Sequence, residues 1–60
     1  MKKIKVIQGN FGNGWEDLSE YDIPEDKEEA QKVEDIIQHD FSEYQISGYE
    51  ASYRIKVRYE

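Results

Sequence analysis

The residues able to do chemistry in this sequence are few, and their spacing weighs against an active site. His39 is the only histidine and sits beside Asp40. Such a pair could supply a general base or begin a metal site, but a metal needs three or four convergent ligands. Near a helix C-terminus, a histidine more commonly serves as a charge that complements the helix dipole. The segment Gly9-Asn10-Phe11-Gly12-Asn13-Gly14 superficially invites a phosphate-loop reading. A phosphate cradle requires a helix N-terminus directly after the loop and usually a lysine within it, and both are missing. Fourteen acids include no pair marked out for general acid and base work. With no cysteine, there is no thiol nucleophile, disulfide, Cys-ligated zinc or iron–sulfur cluster. These residues predict a non-enzymatic protein with no cofactor and no metal.

Charge is the next signal. Fourteen acids against eight bases give a formal net charge of -6, which disfavours general nucleic-acid binding. Between Glu16 and Glu43 there are twelve acids and two bases, Lys27 and Lys32, while the other six bases lie toward the two ends. No stretch approaches the roughly twenty apolar residues that span a bilayer. The apolar stretch after Met1 is broken by Lys5, so no export signal is read and a cytoplasmic location in a host cell is expected.

The elements that position these residues follow from periodicity. Ile4 and Val6 alternate with Lys3 and Lys5, so Lys3 to Gln8 reads as a strand, although Ile7 breaks the pattern. The glycine- and asparagine-rich segment is a turn, and Trp15 to about Tyr21 returns antiparallel. Pro24, followed by Glu25, Asp26, Glu28 and Glu29, marks the start of a helix expected from Pro24 to His39 or a few residues further. Ala30, Val33, Ile37 and Phe41, with Ile36 and then Tyr44, form its apolar stripe, and Gly48 is the clearest break. Gln45 to Tyr49 could add a short strand. Ser52 to Glu60 alternates strictly, with Tyr53, Ile55, Val57 and Tyr59 on one face.

The fold expected is α+β: a single domain over residues 1–60, ββαβ, with a three-stranded antiparallel sheet in the order 2-1-3 and one helix packed on one face. In this arrangement Ile4 and Val6 face the helix, while Lys3, Lys5, Arg54, Lys56 and Arg58 share the opposite face as a basic surface. The acidic helix, with Glu25, Asp26, Glu28, Glu29, Glu34 and Asp35, is an interaction surface able to imitate the phosphates of nucleic acid. Eight aromatics exceed what one small core needs. Trp15 is expected to pack over the helix or to serve with Tyr44 and Tyr49 as an interface anchor.

The run Gln8-Gly9-Asn10-Phe11-Gly12-Asn13-Gly14-Trp15-Glu16-Asp17-Leu18, followed by Tyr21-Asp22, an acidic helix containing Glu29-Ala30, and Tyr53-Arg54-Ile55-Lys56, resembles a type of very small bacterial and bacteriophage protein. The resemblance covers most of the chain, with Gly-Trp-Glu-Asp-Leu its specific part, and implies a phage or prophage origin but no activity. Between His39 and Tyr53 the chain is longer than that pattern. Together with size, acidity and surplus aromatics, it leads to the expectation of a protein that binds and inhibits a host protein, plausibly a component of antiviral defence. A homodimer is expected as well, since one helix leaves a sheet face and an edge uncovered. The alternative is a small nucleic-acid-binding or regulatory protein using the basic sheet face.

Overall fold

The computed structural model describes residues 1–48 and 50–60, with Tyr49 outside the described residues. Strand β1 spans Lys3–Asn10, β2 Trp15–Ile23, helix α1 Lys27–Ser47 and β3 Ser52–Tyr59. The sheet order is β2-β1-β3 with both pairings antiparallel, as the sequence predicts. The hairpin turn is held by Gly12 and Gly14 at φ 107° and 95°, a conformation glycine adopts without a Cβ penalty. Asn10 Oδ1 accepts a bond from the Gly12 amide at 2.9 Å and tightens the same turn.

The helix starts later and ends later than the sequence suggests. Asp26, not a residue before Pro24, is its N-cap, and the Asp26 carboxylate accepts from the Glu29 amide at 3.0 Å. This satisfies one of the amides left over in the first turn. Pro24 therefore precedes the helix. At the other end, Gln45 to Ser47 remain helical, which excludes them from an extra strand, and Gly48 closes the helix by donating its amide to the Tyr44 carbonyl at 2.7 Å. Glycine is required there by close approach: a Cβ at Gly48 would lie 1.8 Å from the Tyr53 hydroxyl oxygen.

The strand register corrects the expected faces. Lys5 pairs with Tyr21 and Val57, Ile7 with Ser19 and Ile55, and Gly9 with Tyr53. Cross-strand partners share a face, so Lys3, Lys5 and Ile7 lie on the helix side of the sheet. Ile4 and Val6 pair with Arg58 and Lys56 and lie on the helix-free face instead. The physical reason is that β1 is the central strand, apolar on both faces, so Ile7 opposes Ile4 and Val6 rather than breaking their pattern. Ile7 and Ile37 are both 0% exposed and meet in the core between sheet and helix.

Three polar contacts flank that core and fix the helix on the sheet. Lys5 Nζ lies 2.7 Å from Glu34 Oε2, Tyr21 donates its hydroxyl to the Asp40 carboxylate, and the Ser19 and Tyr44 hydroxyls are 2.9 Å apart. Their helix residues, at positions 34, 40 and 44, stand on the same side as Ile37, following the three- and four-residue spacing of a helix.

Truncating Ile37 to Ala should cost about 3 kcal/mol, a large share of the stability of so small a domain. Asp26→Ala should cost about 1 kcal/mol. Urea denaturation followed by circular dichroism checks both values, and equal losses at the two positions would contradict the core assigned here.

Candidate functional site

The helix-free face of the sheet is closed by its own side chains. Arg58 extends from β3 across β1, donating to Asp17 at 3.3 Å and to Glu20, both on β2, and to Glu60, just past the end of β3, at 2.9 Å. Asp17 also accepts from the Gln8 amide at 2.7 Å, and Gln8 in turn accepts from Arg54 Nε at 2.8 Å. The Arg54 guanidinium lies 4.0 Å from the centre of the Trp15 ring, within cation–π range. A further ion pair joins Lys2 to Asp22 at 3.2 Å. Beneath this lattice Val6 is only 2% exposed, because long polar side chains cover apolar surface with their stems while their heads stay in water.

Asp17 can join this network because β2 is bulged. The register shifts between Ile7 and Gln8, which pair with Ser19 and Asp17, leaving Leu18 as the extra residue. A bulge re-aims the side chains that follow it, so Asp17 lies on the face of Gln8 and Arg58. Leu18 instead lies near Gly9, where a Cβ would come within 2.9 Å of its methyl group.

The expected basic surface is therefore divided, and only Lys5 and Arg58 of the set are paired with carboxylates. Lys3 and Lys5 belong to the helix side, where Lys5 pairs with Glu34 and Lys3 lines a groove with Lys27 and Ala30. Arg54 and Arg58 are engaged as described, and Lys56 is the exposed base of the set. Asp17, Glu20 and Asp22 interleave with them, so this face carries both signs and the expected two-faced dipole reduces to an acidic helix against a mixed sheet.

Trp15 is also relocated. It lies under Arg54 on the helix-free face, 39% exposed, rather than over the helix, because its pairing with Asn10 aligns it with Gln8 and Arg54 and not with Gly9. Tyr44 packs at the C-terminal end of the helix, stacked on Tyr53 with centroids 5.8 Å apart and an interplanar angle of 28°. Tyr49, the third aromatic expected in an interface, falls outside the described residues. Phe11 at the hairpin tip meets Tyr53 edge to face at 6.1 Å and is half exposed; no sequence expectation covers it, although an aromatic directly before the turn glycines Gly12 and Gly14 is a readable signal.

The acidic helix is not one uniform array. Asp26 is spent on the cap and Glu34 on Lys5, Glu29 lies 3.6 Å from Lys32, and Asp35 accepts from Gln31 at 3.0 Å. Glu25, Glu28 and Asp35 have no ion-pair partner among the described residues. His39, on the exposed flank, lies 4.0 Å from Asp40 and 3.7 Å from Glu43. The described residues contain no group of three or more potential ligands placed to hold a metal ion.

The hydrogen bond from Gln8, aided by Arg58, holds the Asp17 carboxyl below its ordinary value of 3.8, with partial desolvation opposing. A depressed carboxyl contributes stability that is present above the unfolded value and is lost as pH falls through the folded one. The stability difference between the parent and Asp17→Asn should thus stay level down to about pH 5 and shrink as pH falls below 3.8. Denaturant midpoints measured across pH test this, and a difference that widens on acidification would refute it. In comparisons with protein families, curated proteins and solved structures, nothing matches the chain.

Proposed function

We propose that this chain is a non-enzymatic protein of phage or prophage origin that binds and inhibits a host protein by presenting its acidic helix to a basic surface of that partner. The origin is inferred from the resemblance of the glycine-rich turn and Gly-Trp-Glu-Asp-Leu segment. One observation supports the binding surface above others: on the helix-free sheet face Arg58 and Lys2 are paired with Asp17, Glu20, Glu60 and Asp22, whereas Glu28 and Asp35 on the outer side of the helix, and Glu25 just before its cap rather than within it, have no ionic partner among the described residues. Unanswered negative charge steers association toward a positive surface and fixes its register. A surface of that sign is one that nucleic acid otherwise occupies, so binding there excludes it.

The test is capture from a host lysate, identification of the retained protein, and comparison with the double variant Glu28→Lys, Asp35→Lys. The parent should hold its partner in about 0.1 M salt and release it toward 1 M, where the screening length falls from about 10 Å to about 3 Å. The double variant should bind at least about tenfold more weakly, the equivalent of about 1.4 kcal/mol. Equal retention of the same partner by parent and variant would sink the helix as the recognition surface.

A further inference from the structure

We infer that the aromatic groove at the hairpin end of the molecule takes an arginine side chain of the partner protein, an inference that rests on the proposed binding of a basic surface. The groove, of about 550 Å³, is lined by Phe11, Tyr44, Tyr53, Ser47, Ala51 and Glu50 together with Gly48. Its three rings are held in place by one another: Tyr44 stacks on Tyr53, and Phe11 meets Tyr53 at 86°. Ring faces carry negative charge density and attract a cation.

The charge that borders the groove has the same sign, Glu50 being the charged residue of the lining. The helix ends there at Ser47, and its last turn contains no basic residue to offset the negative end of the helix dipole. Glu50 adds a carboxylate. A smaller adjoining groove, of about 230 Å³, shares Tyr44 and Ser47 and is lined by Asp40 and Glu43. Among the described residues, no lysine or arginine lines either one.

Rings combined with negative charge select a cation, and the planar guanidinium suits the site better than an ammonium. It stacks on an aromatic face while its N–H groups remain free to reach a carboxylate or the terminal helix carbonyls. The chain already uses this chemistry on the other face of the sheet, where Arg54 covers Trp15 at 4.0 Å. Phe11 is 54% exposed at the hairpin tip, an apolar area that a stacked guanidinium would cover.

The experiment is a titration of the isotope-labelled full chain with N-acetyl-arginine methylamide, followed by amide correlation spectra, alongside the citrulline and lysine analogues. Arginine should give saturable shifts at Phe11, Tyr44, Ser47, Ala51 and Tyr53 with a dissociation constant on the order of millimolar. Lysine should shift them less, and uncharged citrulline should leave them unmoved. Phe11→Ala and Glu50→Gln should each weaken arginine binding by about threefold or more, Glu50→Gln with little change in melting temperature and Phe11→Ala with the modest loss that a missing aromatic pair brings. Equal shifts with citrulline, or arginine shifts confined to the helix around Glu28 and Asp35, would overturn the assignment. If Phe11→Ala binds the host partner as tightly as the parent while Glu28→Lys, Asp35→Lys loses it, the groove assignment fails and the acidic-helix reading stands. If both variants keep the partner at parental affinity, both fail.

Discussion

A three-stranded sheet has two faces, and a single helix covers one of them. In this chain the second face is handled by Arg58, which leaves the edge strand, crosses the central strand and ends among Asp17, Glu20 and Glu60. Exposed ion pairs of this kind contribute little one at a time. What matters is where the stem lies: it helps remove Val6 from water, and the carboxylates hold it there. The bulge at Leu18 and the chain from Gln8 to Arg54 and Trp15 serve the same arrangement, since without the bulge Asp17 would lie on the other face.

This arrangement changes what the chain needs from other molecules. A face closed by its own side chains does not require a second copy as cover, which removes one of the two grounds for expecting a homodimer. The other ground, the open edge of β3, meets a charge constraint. Antiparallel pairing of β3 with itself sets residues of the same face opposite one another, so Arg54, Lys56 and Arg58 of two copies would form facing rows. Like charges directly opposite are destabilising, and charged edges are one way sheets resist pairing with their own kind.

Much of the fold was legible in the sequence because the informative elements were those with one apolar face, even where, as at Val57 and Tyr59 of β3, that face stays exposed. β3 alternates cleanly because it is an edge strand beside a single helix, and the stripe from Ala30 to Tyr44 marks the docked side of α1. β1 was misread for the opposite reason: a central strand buried on both faces has no alternation to follow, and Lys5 looked like a solvent residue because its partner Glu34 is distant in sequence. The same gap hid the candidate surfaces. Pairings such as Arg58 with Asp17 join residues forty-one positions apart, so which charges cancel could not be counted along the chain. The rings of Phe11, Tyr44 and Tyr53 converge only once the hairpin, the helix end and β3 are in place.

The position of β1 between a neighbour close in sequence and one far away also orders the assembly of the molecule. The hairpin with β2 closes through a tight turn and α1 forms from local bonds, but the ladder with β3 joins residues such as Gln8 and Arg54, forty-six positions apart. Closing a loop of that length costs about 3 kcal/mol in chain entropy before any contact repays it. Chain entropy therefore favours early formation of the hairpin and helix, with the docking of β3 expected as the late step. Substitutions in β3 then act mainly on how quickly the native molecule opens, which makes its lifetime, more than its rate of formation, the property set by that strand.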